Sequence, residues 1–220
     1  MESVKTVSAA EEAKTLINRN VEEAEKEGVN SPDRLKQKIS ADMQHVSGET
    51  RHHVDIYLNG MKSATEGMQV EDLDDGIGGL YDGSKPKMAT DTLEVSSTVE
   101  GTVERMEEVS DHEHYHQDND HLAPMKTAAT KDDPNVLVLG GQKFTTDVPL
   151  VEGLTVHDTG NRFVSAEYKQ MEQDLLDGAS AAGIGMDTLR TAINEQKDLT
   201  LIDDRTRKNS DAEIPVFSLA

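Results

Sequence analysis

Cysteine and tryptophan are absent from the 220-residue sequence, and aromatic residues make up only 3% of it. Without cysteine the chain can form neither disulfides nor thiolate metal sites, so any transition metal must be bound by His, Asp or Glu. Hydrophobic residues amount to 35% of the chain, which predicts an aliphatic core of modest size. The length suits one domain with an appendage, or two small domains.

Positive charge is scarce as well, because 22 Lys and Arg stand against 43 Asp and Glu and leave a net charge of -21. Binding to nucleic acid or to an anionic membrane surface needs clusters of basic residues, so we expect neither partner. The sequence has no apolar run of about 18 residues that would span a membrane. Residues 1–13 lack the apolar segment of a signal peptide. We therefore expect a soluble cytoplasmic protein, with unconventional export as the alternative.

The residue patterns predict an α+β fold that is mainly helical and contains a small β-sheet. Residues 1–66 are polar and helix-forming, and we interpret them as an N-terminal helical segment that could act as a prosegment. The main domain is predicted over 67–200, and 201–220 is predicted to be a charged tail. Two short hairpins are predicted, one of strands near 77–81 and 87–95 around a turn at 82–86, and one of strands near 136–139 and 142–146.

The longest predicted helix covers residues 98–121. Spacings of three and four residues place six side chains on one of its faces: Val99, Val103, Met106, Val109, His112 and His116. An apolar stripe therefore continues directly into two histidines. Further helices are predicted from Asp147, over about 164–177 and over about 186–196.

The segment from His112 to His116 reads H-E-x-x-H. Residues four apart lie one above the other on a helix, so both imidazoles can bind one Zn²⁺ at about 2.1 Å. Glu113 is adjacent to the first ligand, and its carboxylate would reach a metal-bound water rather than the metal. There it can act as a general base and return the proton to the leaving amine.

A third ligand is needed, and the H-E-x-x-H-x-x-G-x-x-H pattern does not supply it. That pattern requires Gly and His where Asn119 and Leu122 stand, and His121 is one residue short. We predict instead Glu152, which lies on the next helix between apolar residues, where a carboxylate needs a partner. Gly153 is expected to let the backbone approach the site closely. A first-turn glutamate that interacts with the helix dipole is the other interpretation of Glu152.

The order of these elements resembles the gluzincins, the thermolysin-like zinc peptidases, and in particular their very small soluble members. The matching pieces are Gly78-Gly79-Leu80-Tyr81-Asp82, the segment 112–116, and Glu152-Gly153-Leu154-Thr155. The sequence departs from the thermolysin pattern at Val156, where an Asp would be expected, and Asp158 is out of register.

The resemblance implies a zincin-like catalytic domain and a zinc metallopeptidase whose partner is a peptide or protein substrate. It implies a substrate chain lying antiparallel to the strand near 77–81 or 87–93. It also implies a residue that stabilises the oxyanion, for which His157 is the stronger candidate. Tyr168 is the weaker candidate, because it lies on the apolar face of its helix and is expected to pack in the core.

Two hypotheses compete with the peptidase. A His-rich acidic helix can bind Zn²⁺ or Ni²⁺ without hydrolysis, as a non-catalytic metal-binding or interaction protein. The chain could also be a purely structural acidic protein, such as a virion or coat component, in which the histidines lie on a solvated helix face. His114 and His121 fit that solvated face. The change Glu113→Gln separates the peptidase from the non-catalytic metal-binding protein, since only a peptidase would lose turnover while keeping its metal.

Overall fold

A computed structural model describes residues 7–28, 31–74, 76–127, 136–145 and 147–210, with side chains up to residue 207. Contacts within the chain divide it into two compact units, Met1–Gln117 and Asp118–Ala220. The fold is mainly helical with small sheets, as expected for the α+β class. None of the described helices combines the length and the apolar character needed to cross a membrane.

Three helices open the first unit: α1 (Ala9–Lys26), α2 (Pro32–Asp42) and α3 (Gly48–Ala64). The Ser8 hydroxyl caps α1 by accepting from the Glu11 N–H at 3.2 Å, in the Ser-x-x-Glu pattern that is typical of a helix start. Pro32 lies in the first turn of α2, where its missing N–H costs nothing. The predicted N-terminal helices are therefore confirmed.

A three-stranded sheet follows, made of β1 (Gln69–Glu71), β2 (Gly79–Leu80) and β3 (Lys87–Ala89). Its order is β1-β3-β2, with β3 parallel to β1 and antiparallel to β2. The hairpin of β2 and β3 was predicted, whereas β1 was not. Because β3 is central, it has no open edge, and β2 forms one edge of the sheet.

The helix α4 (Val99–Asp118) completes the first unit and was predicted from its periodicity. Thr98 begins it, since the Thr98 hydroxyl accepts from the Gly101 N–H at 3.1 Å. Gly60 allows α3 to approach α4 closely, because a Cβ there would lie 2.3 Å from Val103 Cγ1. The largest fully buried side chains of this unit are Ile17, Ile39, Tyr57, Met61, Met88, Leu93 and Met106.

The chain that leads into α4 is held by the first and third helices. The Tyr57 hydroxyl donates to the Leu93 carbonyl at 2.8 Å. Asn18 makes two bonds to the backbone of Val95, at 2.8 and 3.1 Å. The predicted boundary near residue 66 thus differs from the observed division after Gln117, because α1 and α3 share one hydrophobic core with β3 and α4.

The second unit is built around α5 (Val148–Thr159) and α6 (Ala166–Ala182). Its remaining elements are β4 (Leu137–Leu139), β5 (Gln142–Phe144), α7 (Met186–Arg190), a π-helical turn (Thr191–Glu195), a 3-10 turn (Leu199–Leu201) and α8 (Asp204–Ser210). The strands β4 and β5 form the predicted antiparallel hairpin. The fully buried leucines of this unit's core are Leu139, Leu150, Leu154, Leu175 and Leu189.

The predicted tail over 201–220 begins as folded structure. Ile202 and Asp203 are both 0% exposed, and Asp203 lies 2.7 Å from the Arg205 guanidinium. The helix α8 follows directly. The charge of this segment does not make it unstructured, because an ion pair holds it in place. Residues 211–220 of the predicted tail lie outside the described part of the chain.

We expect Tyr57→Phe to lower the free energy of unfolding by about 1 kcal/mol, because the buried Leu93 carbonyl loses its donor. Urea denaturation measures this change. Tyr81→Phe is the matched control, since it removes a hydroxyl from a half-buried ring and should change stability little. Equal effects of the two substitutions would contradict the role given to Tyr57.

A second prediction concerns the β2–β3 hairpin. Lys87 lies 2.8 Å from Asp82 and 3.1 Å from Glu71. The hydrogen bond from Lys87, together with those from Ser84, lowers the pKa of Asp82 from 3.8 to about 2. Because the folded pKa lies below the unfolded one, the ionised group stabilises the fold above pH 3.8, and this contribution is lost as the pH falls through about 2.

Lys87→Met should therefore raise the pKa of Asp82 towards 3.8. A carboxyl-carbon NMR titration reads that value directly. The exposed Lys85 provides the control, and Lys85→Met should leave the Asp82 pKa unchanged. An Asp82 pKa that stays near 2 in Lys87→Met would show that the ion pair is not its cause.

Candidate metal centre

Two buried histidines face each other on α4. His112 and His116 are each 6% exposed, and their Nε2 atoms are 3.1 Å apart. The rings meet edge to face, with centroids 4.8 Å apart and planes at 68°. The spacing of four residues brings them onto one face, as predicted, and this face continues the buried stripe of Met106 and Val109.

Glu113 lies beside this pair and is also 6% exposed. A carboxylate is seldom buried to this extent without a functional or structural partner. Its neighbour in the sheet is Gly79, at the edge. A Cβ on Gly79 would lie 2.8 Å from both Cγ and Oε1 of Glu113. The carboxylate therefore rests directly against the backbone of β2.

In the part of the chain that the structure describes, no strand pairs with the outer side of β2, and the backbone of β2 determines which groups face this edge. The Ala89 N–H donates to the Gly78 carbonyl at 2.9 Å, so Gly78 and Ala89 form a hydrogen-bonded pair. Gly79 and Met88, the next pair in the register, are then a pair without mutual hydrogen bonds. In an antiparallel ladder such residues direct their N–H and C=O away from the partner strand. Gly79 thus presents both groups at the edge next to Glu113.

The other two histidines of this region are not on a solvated helix face. His114 is half-buried, and its Nδ1 lies 2.9 Å from the Ser110 carbonyl. His121 is 7% exposed, and its Nε2 lies 2.7 Å from Asn194 Oδ1. The interpretation of His121 as a surface residue was wrong, because Asn194, 73 positions away in sequence, satisfies the ring inside the fold.

Glu152 lies in the first half of α5 and is half-buried between Val151 and Gly153, which are both buried. Gly153 does not have the expected role of admitting backbone to the site. A Cβ there would lie 2.6 Å from the Met171 carbonyl oxygen, so this glycine allows α6 to pack closely against α5. Pro149 and Asp147 begin α5 where the sequence predicted its start.

The structure brings the three predicted ligands together. His112, His116 and Glu152 each offer one ligand atom, and these atoms all lie within 4.8 Å of one another. Among the described residues, no other three His, Asp or Glu side chains converge in this way. A His-His-Glu group of this kind could hold a metal ion.

The remaining candidates occupy other positions. His157 is half-buried, and its Nδ1 lies 3.2 Å from Glu172 Oε1 on α6. Tyr168 was expected to pack in the core, but its ring is only half-buried. Asp158 makes two bonds to the Arg190 guanidinium, at 2.7 and 2.8 Å, so this carboxylate orients Arg190.

We compared the sequence and the structure with known proteins. No family model matches the sequence, and searches of curated proteins and of solved structures found no match.

Proposed function

We propose that the protein is a zinc-dependent peptidase in which His112, His116 and Glu152 bind the metal and Glu113 is the general base. The observation that carries the proposal is the arrangement on α4. Two imidazole Nε2 atoms lie 3.1 Å apart. The residue after the first of these histidines is a buried glutamate whose side chain lies against the edge strand β2.

The donor set supports zinc. Two imidazoles and one carboxylate suit this borderline ion, and three protein ligands leave the fourth position open for a water or a substrate. Ligand atoms about 2.1 Å from one tetrahedral ion are about 3.4 Å apart. The histidine nitrogens, both on α4, are 3.1 Å apart and so are close to this spacing, and the three ligand atoms lie within 4.8 Å of one another. A zinc ion bound there would supply a Lewis acid and lower the pKa of a coordinated water.

Glu113 is assigned the proton transfers. It follows His112 in sequence, so its side chain leaves α4 about 100° around the axis from that ligand. A carboxylate placed there accepts a proton from the attacking water and delivers it to the leaving nitrogen as the peptide bond breaks. Burial at 6% exposure keeps bulk water from competing for that proton.

The substrate is proposed to lie along β2. Of the two strands considered from the sequence, 87–93 is excluded as an edge because β3 is paired on both sides. A peptide added beside β2 can exchange hydrogen bonds with the outward N–H and C=O of Gly79. Its backbone then runs next to the Glu113 carboxylate, where a scissile bond has to be.

His157 is proposed to donate a hydrogen bond to the oxyanion. Glu172 Oε1, at 3.2 Å from Nδ1, can accept a hydrogen bond from Nδ1–H and orient the ring. Nε2 can then donate to the oxyanion when the ring is the imidazolium, which carries a proton on both nitrogens.

Metal content tests the ligand set. Mass spectrometry of the dialysed, zinc-supplied protein should give one zinc per chain in the wild type, and substoichiometric zinc in His112→Ala and in Glu152→Ala. His52→Ala is the control, since His52 is exposed on α3, and it should retain the metal. A wild-type chain that binds no zinc would overturn the proposal, and a Glu152→Ala chain that keeps it would remove Glu152 from the set.

Glu113→Gln tests catalysis separately from binding. The amide cannot accept the proton, so kcat on a peptide library should fall about 100- to 10,000-fold, while zinc content stays at one per chain. Glu107→Gln, which neutralises a charge on the exposed side of the same helix, is the matched control. If the zinc-loaded wild type cleaves no peptide faster than Glu113→Gln does, the protein is a non-catalytic metal binder.

A further inference from the structure

We propose that Gly79 is a positioning residue for catalysis, because the missing side chain at this point sets the place of the Glu113 carboxylate. The inference rests on the proposed function, since it assumes that Glu113 is the base. It concerns a residue of β2 that is neither a proposed metal ligand nor the base and that would act through Glu113.

The space around Gly79 is filled from α4. A Cβ would lie 2.7 Å from Val109 Cγ1 and 2.8 Å from Cγ and Oε1 of Glu113. These separations are shorter than real Cβ contacts, so something must move. Val109 is part of the hydrophobic core and, as a β-branched residue, has one stiff side-chain torsion, whereas Glu113 can rotate about several side-chain bonds. The carboxylate is therefore expected to be displaced.

Backbone conformation does not require glycine at this position. Eight glycines among the described residues have φ between +58° and +91°, and Gly79 is not among them. Any L-residue can adopt its extended conformation in β2. What Gly79 provides is the close approach of a strand to a helix, at the same residue whose N–H and C=O face the open edge of the sheet.

This arrangement links substrate and base through one residue. A peptide beside β2 would pair with Gly79, and Glu113 contacts the same residue from the helix side. The distance between the scissile bond and the base is then fixed by a backbone rather than by flexible side chains. A displacement of about 1 Å at such a point can reduce turnover about 100-fold.

The chain offers a matched control in the preceding residue. A Cβ on Gly78 would lie 3.4 Å from Val109 Cγ2 and 3.5 Å from Thr92 Oγ1, which is ordinary van der Waals contact. Gly78 also lacks a left-handed conformation. The substitution Gly78→Ala thus adds the same methyl group one residue away without touching Glu113.

The experiment compares zinc-loaded wild type, Gly79→Ala, Gly78→Ala and the double variant Gly79→Ala with Val109→Ala. We expect kcat of Gly79→Ala to fall about 100-fold, with KM, zinc content and far-UV circular dichroism unchanged, and Gly78→Ala to resemble the wild type. The double variant relieves the clash with Val109 alone, so its kcat should stay low. A crystal structure of Gly79→Ala gives a readout independent of activity, in which the Glu113 carboxylate is displaced.

The inference would be overturned if Gly79→Ala kept the wild-type kcat, or if Gly78→Ala lost as much kcat as Gly79→Ala. Recovery of kcat in the double variant would also overturn it, because the cause would then be packing against Val109. If Gly79→Ala alone fails to fold, the double variant with Val109→Ala, which removes the contact with Val109 Cγ1, provides the same comparison through its kcat and the Glu113 position in its crystal structure. Failure of the proposed function has a different signature, because Glu113→Gln would then equal the wild type whatever Gly79→Ala does.

Discussion

The candidate site depends on one constraint, the continuity of a single helix face. In α4 the side chains that anchor the helix and those proposed to perform chemistry follow the same spacing of three and four residues, from Met106 and Val109 to His112 and His116. The anchoring half cannot rotate without exposing apolar surface to water, so it fixes the orientation of the histidine half. A buried pair of imidazoles at 3.1 Å is therefore a consequence of core packing lower on the same helix.

The helices at the beginning of the chain take part in that constraint. Tyr57 and Asn18 bind the segment that enters α4, at Leu93 and Val95, and Gly60 brings α3 against Val103. A prosegment can be removed only if the rest of the chain keeps a complete hydrophobic core. These helices, however, supply much of the core against which α4 packs. Removing residues 1–66 would expose the apolar face of α4, so a regulatory role for this segment would have to operate without its departure.

Local patterns explain what could be predicted from the sequence, and long-range pairing explains what could not. The capping of α1 by Ser8, the start of α5 at Pro149 and the face of α4 all follow from residues a few positions apart. The three candidate ligands could be selected because two histidines four residues apart and a carboxylate between apolar residues are distinctive in the sequence. By contrast, β1 has only three residues and pairs with β3 across 18 positions, and the burial of His121 depends on Asn194. Gly153 was placed at the site because its contact with Met171 has no local signature.

The two adjacent glycines of β2 show why such distinctions matter for function. Both were predicted to lie in the same strand, and the sequence alone does not show that their surroundings differ. In the fold, Gly78 has ordinary contacts, whereas Gly79 lies where a strand edge and a buried carboxylate approach more closely than a methyl group permits. In the proposed reaction the base must be near the bond that it helps to break, and that bond must lie near β2. A glycine at the crossing of strand and helix satisfies both conditions with backbone alone, which is the most rigid means that a short strand offers.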